Sequence, residues 1–300
     1  MPDRRQGLVF GIGAYVLWGV LPLYLTLVGR ASALEVIAHR IVWTAVLCAG
    51  ALVLARQWAP LRRAVGRPKV LGAMALAGVL LTANWLVFVW ATLNGHLVDA
   101  ALGYFINPLF SVLLGVVLLH ERLRAAQWTA VGIGALAVVV IAATAGRLPW
   151  VALVLPLTFG FYGYVEKLVG RSVPAFTALA VETAVVLPAA VGHLIWLGVT
   201  GRGTFVVGMP GHDSALLGLG VATAAPLLLF NAAARRLPLS LLGFLQYLCP
   251  VMQFITGLLL FHEPMSGGRW FGFAAVWAAL ATLTGDALWR SRRAASGGLD

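Results

Sequence analysis

The chain has 300 residues, of which 61% are hydrophobic and only 10% charged, and its mean hydropathy is +0.94. A soluble globular protein carries about 25% charged residues, so this composition excludes a water-clothed surface and points to an integral membrane protein. The net charge of +11 reads as arginines holding helix ends on one side of a bilayer rather than as a nucleic-acid footprint, because no basic patch is interleaved with aromatic residues on which bases stack.

A helix needs about 20 apolar residues to cross a bilayer core. Runs of that kind predict ten spans, at 8–28, 34–55, 70–92, 97–119, 127–145, 149–169, 174–198, 213–234, 238–261 and 268–288. Spanning strands would be shorter and alternate in polarity, which these runs do not. The first run follows a basic start and ends near "ASA" (31–33), as a cleaved signal peptide would. Its apolar stretch from Gly7 to Val28 is longer than such a peptide's apolar region, so a retained first helix is expected. The second run opens with "LEVIAHRIVW" (34–43), which places Glu35, His39 and Arg40 among apolar neighbours. At 100° per residue Glu35, His39 and Trp43 share a stripe, and Arg40 lies on the same broad face.

Further polar groups fall inside later spans: Asn84 and Trp85 on the third, Tyr104 and Asn107 on the fourth, Tyr162 on the sixth, Glu182 on the seventh, and Gln246, Tyr247 and Gln253 on the ninth. Pro108 and Pro250 stand mid-span on the fourth and ninth. Connections are short, the longest being "TGRGTFVVGMPGHD", which is too small for a soluble domain. Cys48 and Cys249 lie within apolar runs and suit small buried residues. No zinc spacing and no P-loop occurs, so neither a metal nor any other cofactor is expected and transport would not run on the chain's own ATP hydrolysis.

Lysine and arginine fix the expected orientation. Of the 21 such residues, a cytoplasmic N-terminus leaves Arg30, Arg147, Arg202 and Arg269 outside and Arg40 within a span; the other sixteen fall inside, as do both termini. The two halves also repeat. An offset of 142 lays Pro108 on Pro250, Gly115 on Gly257, His120-Glu121 on His262-Glu263 and Trp128 on Trp270; an offset of 141 lays Gly19 on Gly160 and Gly29-Arg30 on Gly170-Arg171. The expected units are therefore 1–146 and 147–300. Five spans per half is an odd number, so the second half enters the bilayer inverted. Inverted repeats of this kind build secondary transporters whose substrate site lies near the midplane between the halves.

These motifs resemble a known family. "HRIVW" (39–43), "NWLVFVWA" (84–91), "DAALGYFINPL" (99–109), "HERL" (120–123), "LLGFLQYLCPVMQF" (241–254) and "FHEP" (261–264) are similar to those of the drug/metabolite transporter superfamily, specifically the EamA-type carriers and their RarD-like branch of chloramphenicol-sensitivity permeases. The resemblance covers essentially the whole chain, and its one departure is Asp99 where a Glu is expected, which keeps the charge. It implies ten helices, an inner-membrane location and export of small molecules, without fixing the cargo.

A charge two turns inside a span costs several kcal/mol unless it is paired or faces water. Two readings of "LEVIAHRIVW" follow. In one, Glu35 neutralises His39 or Arg40 and the cluster only pins the helix. In the other, Arg40 faces a central cavity and receives an anionic or carbonyl group of the substrate, while His39, Glu35 or Glu182 takes up a proton. Trp43, Asn84, Trp85, Tyr104, Asn107, Tyr162, Gln246, Tyr247 and Gln253 are the candidate lining, since aromatic bodies with polar tips suit a small amphipathic cargo; each is also an ordinary helix-packing residue. Pro108 and Pro250 are candidate gating bends or static kinks. Glu182 alternatively pairs with Lys167, and Glu121 and Glu263 are expected to cap or tie loops. Gly7/Gly11 and Gly268/Gly272 permit close helix contact, within the chain or in a homo-oligomer. An intramembrane enzyme acting on a lipid-linked substrate would need a catalytic constellation that the sequence lacks, and a sensor or scaffold would need no Arg40. The expected partners are the lipid bilayer, a small-molecule substrate and protons, with no nucleic acid.

Overall fold

A computed structural model describes residues 2–55, 58–119, 124–146, 148–169, 173–205, 209–234, 236–237 and 239–296. Among them the helices are α1 (Pro2–Thr26), α2 (Ala33–Ala55), α3 (Trp58–Val65), α4 (Pro68–Leu93), α5 (Leu97–Leu119), α6 (Ala125–Ala145), α7 (Trp150–Val169), α8 (Ala175–Thr200), α9 (Pro210–Ala234), α10 (Leu239–Leu245), α11 (Leu248–Ile255), a π-helical turn at Thr256–Leu260, and α12 (Gly267–Ser296). No strand is found among the described residues. By length and composition alone eight helical stretches among the described residues can cross a bilayer, and α7 adds a shorter apolar one, Trp150–Glu166. The tenth expected span lies within α12, which also carries Arg269 and Asp286. The sequence overlooked α3, a short helix with Arg62 and Arg63 in its last turn. It also extended the 200–213 connection too far, because "PGHD" already forms the first turn of α9.

The packing exchanges into itself when the halves are swapped. With α1, α2, α4, α5 and α6 matched to α7, α8, α9, α11 and α12, the contact of α1 with α9 becomes that of α7 with α4, and α2 with α9 becomes α8 with α4. Likewise α5 against α7 becomes α11 against α1, while α2–α8, α5–α11 and α6–α12 map onto themselves. Each half therefore buries itself mainly against the other. This is the contact pattern of a two-fold repeat.

Glycine permits two of these crossings. A side chain at Gly78 on α4 would meet the carbonyl oxygen of Glu182 on α8 at 2.7 Å, and one at Gly220 on α9 would meet the backbone of Trp43 on α2 at 2.8 Å. Gly78 and Gly220 are 142 residues apart, so the repeat extends to the residues that bring the backbones together. Gly78→Val should separate α4 from α8 and cost about 1–3 kcal/mol, seen as a lower melting temperature in detergent. Gly72→Ala, facing open space, should leave it unchanged. Gly7 and Gly11 pack on Leu237 and Leu245, and Gly268 and Gly272 on Thr144 and Ile141, so these spacings serve contacts within the chain.

The paired prolines behave differently. α5 runs through Pro108 as one helix. The ninth span, expected to be continuous, breaks at Gln246–Tyr247 between α10 and α11. Gln246 is four residues before Pro250, where the proline removes a backbone bond and its ring crowds the carbonyl. The matched prolines thus differ: one stands inside an unbroken helix, the other just after a break.

The tie expected of Glu263 is present. Its carboxylate accepts the backbone N–H groups of Leu97 (2.6 Å) and Val98 (2.9 Å), the first residues of α5. The matched pair His120-Glu121 lies outside the described residues.

Candidate functional site

Arg40 stands two turns into α2 with only 4% of its surface exposed. The guanidinium carbon lies 3.9 Å from the ring centroid of Trp85 on α4. Its Nε is buried without a hydrogen-bond partner, and among the described residues no carboxylate forms an ion pair with it. A desolvated cation–π contact is worth about 2 kcal/mol, which falls short of the cost of withdrawing a charge from water. The charge is left undercompensated.

Around it the polar groups interlock. Tyr104 on α5 lies close enough to Arg40 to feel its charge, and its hydroxyl donates to Asn84 Oδ1 at 3.4 Å. The Asn84 amide donates to the Leu155 carbonyl and to Thr158 Oγ1 on α7, each at 2.9 Å. Asn84 is therefore a bracket between α4 and α7, while Arg40, Trp85 and Tyr104 present the open chemistry. Beside Trp85 is a small internal gap of about 10 Å3, room for roughly one water centre, bordered by Thr44 on α2, Gly78 on α4 and Glu182 on α8.

The remainder of "LEVIAHRIVW" is tied elsewhere. Glu35, 2% exposed, accepts the Thr204 N–H at 2.6 Å and the Thr204 hydroxyl at 3.1 Å. That hydroxyl also meets His212 Nε2 at 2.9 Å. His39 Nδ1 accepts the Trp43 indole N–H at 3.2 Å, and its Nε2 is buried without a partner. The cluster is not self-neutralised through Arg40, because Glu35 binds the 202–205 connection instead.

The other predicted residues divide. On α11, Gln253 is 2% exposed, donates to Cys249 Sγ at 3.2 Å and leaves its Oε1 unpartnered. Cys249 in turn is within electrostatic reach of Tyr104. Asn107 Oδ1 is also buried without a partner. Gln246 is exposed at the α10–α11 break. Tyr247 lines a separate apolar groove with Phe105, Val251 and Trp277. Tyr162 sits on α7 near Glu166 and Glu182, away from Arg40's immediate partners. The Lys167 side chain, the alternative partner of Glu182, lies outside the described residues.

Sequence reading missed Glu166, Thr204 and His212. Glu166 shares a helical stripe with Tyr162 at i, i+4, which was the available signal. Nothing local marks Thr204, whose partner is 169 residues away.

Residues 5–143 and 149–285 each match the EamA-like transporter family. "Protein RarD" of Streptomyces exfoliatus is 46% identical over 291 residues, covering 97% of this chain and 92% of that protein. An uncharacterized transporter of Pseudomonas aeruginosa is 43% identical over 303 residues, covering 97% of each. A solved crystal structure superposes with a TM-score of 0.59 at 20% identity, covering 94% of this chain and 98% of the other. That last likeness concerns the fold.

Proposed function

The chain belongs to the EamA-like transporter family, and from that premise we propose that it is a secondary carrier exporting small metabolites or drug-like molecules by alternating access. The observation that carries this reading is the buried Arg40 guanidinium, stacked on Trp85 and paired with no carboxylate among the described residues. A carboxylate or carbonyl on the cargo supplies the missing partner, Tyr104 offers a hydroxyl beside it, and the aromatic faces take the apolar part. Asn107, Gln253 and Cys249 extend the wall toward α11, Trp43 continues it along α2 beside His39, and Asn84 holds α4 against α7 so that Trp85 keeps its place.

In the cycle, the bends at Pro108 and Pro250 exchange, one straightening as the other breaks; the unequal shapes of α5 and α10–α11 support this. Proton uptake at Glu35, His39 or Glu182 couples the cycle to the gradient. The chain sits in the cell membrane with both termini cytoplasmic, which is the side the arginine bias assigns.

The test is flux in proteoliposomes with amino acids, organic acids and amphenicols, repeated across an imposed pH gradient. Saturable uptake of one class, driven by the gradient, is the expected result. Absence of saturable flux for every class, from protein that remains folded, removes the carrier reading.

A further inference from the structure

Two carboxyls meet inside the bilayer where the cargo site does not need them. Glu182 on α8 is 2% exposed, and neither of its oxygens has a donor among the described residues. The Glu166 carboxyl on α7 stands within hydrogen-bonding reach of it, and Glu166 Oε1 is likewise buried without a partner. Their chain neighbours Val165 and Val181 belong to one buried apolar cluster, with Met74 and Ala77 from α4 and Ala178 from α8. Glu182 is about 10 Å inside its helix at 1.5 Å per residue, and the Gly78 contact presses α4 directly onto its backbone. Two oxygens that accept and have nothing to accept from are a costly arrangement. A single proton held between them converts one carboxyl into the donor that the other lacks.

The gap between α2, α4 and α8 is an independent observation at the same place. It borders Glu182, Thr82, Thr183 and Trp85, and the hydroxyl of Thr44, 1% exposed and without a partner, lines it too. Its volume of about 10 Å3 is near what one water needs. A water there would bridge Thr44 to Glu182 and lie against Trp85, whose ring carries Arg40. The proton site and the cargo site would thus share a wall.

We propose that Glu166 and Glu182 form an intramembrane proton-binding site, a carboxyl pair sharing one proton and connected through the Thr44-lined gap to the Trp85–Arg40 stack. Among the described side chains, which leave out that of Lys167 next to Glu166, the other titratable groups around it are few. Tyr162 on α7 is within electrostatic reach of both carboxyls, Tyr164 lies on the same helix, and Cys48 and Arg40 lie on α2. Tyr104 lies on α5, Lys69 is exposed at the start of α4, and Arg62 and Arg63 on α3 are exposed. The pair titrates as a unit, so one substitution alters both members. Its coupling role rests on the carrier reading; the proton site itself rests on the geometry.

The test is infrared spectroscopy of the protein in liposomes, following the carbonyl stretch of protonated carboxylic acid from acid to alkaline pH. The wild type should show such a band and lose it as pH rises. Glu182→Gln and Glu166→Gln, both near-isosteric, should each shift or remove it, and the double variant should lack it. A band unchanged in the double variant overturns the proposal, as does one that Glu166→Gln leaves untouched. Should the variants misfold, the wild type alone decides. Dicyclohexylcarbodiimide adds to protonated carboxyls in apolar surroundings, and mass spectrometry should find it on Glu166 or Glu182 at acid pH and not at alkaline pH. No adduct at either residue overturns the proposal, and so does sodium-dependent thermal stabilisation with no band at any pH, which assigns the pair to a metal cation. If flux is absent while the band behaves as expected, the carrier reading falls and the proton site stands.

Discussion

Replacing Arg40 with methionine should abolish cargo-dependent stabilisation and flux while leaving the protein as stable as the wild type or more so. Most core substitutions lose stability together with function, so this separation is diagnostic. Arg40 is buried with its charge unpaired among the described residues and one guanidinium nitrogen unsatisfied, which makes it a cost to the resting fold. Methionine keeps much of the length and still packs well on the Trp85 ring, so the resting state loses little and sheds the desolvated charge. The bound state loses a partner for a desolvated group, which is worth about 2–5 kcal/mol, or roughly 30-fold to several thousand-fold in Kd. Arg40→Lys should fall between, because lysine keeps the charge but not the planar face that stacks or the fork that binds two oxygens. Calorimetric titration with whichever cargo the flux panel identifies, beside melting curves for all three proteins, reads both quantities. An unchanged Kd in Arg40→Met would move the cargo site to the α5–α11 wall around Asn107 and Gln253. A fall in melting temperature without cargo would make Arg40 a structural residue.

Arg40 was legible in the sequence because the solvent that surrounds the chain is so uniform. In a bilayer any run of about 20 apolar residues becomes a helix, since nothing else satisfies its backbone, and any charge inside such a run stands out. Eight of the ten expected spans were accordingly read to within a few residues, and Arg40, Trp85 and Tyr104, from three separate runs, lie near one another. The same logic explains what was missed. Hydropathy reports that 238–261 is apolar, but the break at Gln246–Tyr247 depends on how one proline is accommodated, and Pro108 shows that an equivalent proline can leave its helix whole. Partnerships were the least legible part. Glu35 looked like a counter-ion for its own helix at i+4 or i+5, yet its carboxylate serves the backbone of Thr204 across 169 residues. Glu166 drew no reading at all, yet its carboxyl meets that of Glu182 on the next span. In both cases the pairing follows from how the inverted halves interleave, which is a property of the whole packing and of no local stretch.

Glu263→Ala should be the most destabilising single change at the end of the bundle that holds the start of α5, by about 3–5 kcal/mol. The carboxylate is 5% exposed and accepts the Leu97 and Val98 N–H groups at 2.6 and 2.9 Å. Those are two of the four donors that a helix start cannot satisfy itself, and an anion there also complements the helix dipole. Alanine would leave both donors buried and unpaired, at about 1–3 kcal/mol each. The backbone is committed to this contact as well. His262 adopts φ of 54°, an uncommon conformation for a residue with a side chain, and Gly257 in the π-helical turn lies against Val98. Alongside, Arg269 of α12 binds both oxygens of Asp99 at 3.0 Å, and His96, stacked on Trp90, meets the same carboxylate at 3.2 Å. Arg269→Ala should cost less than Glu263→Ala, because the Asp99 side chain it abandons is 11% exposed and keeps His96. Melting temperatures in detergent check the order. Glu263→Gln separates a static tie from a gate, since the amide keeps one acceptor and the shape but gives up the charge. In a background without Cys48 and Cys249, Ala101→Cys reports access from this side, its native side chain being fully buried. If the contact must part for cargo to pass, Glu263→Gln raises the reactivity of that cysteine toward a membrane-impermeant thiol reagent. If the contact only fastens the helices, stability falls and the cysteine stays closed.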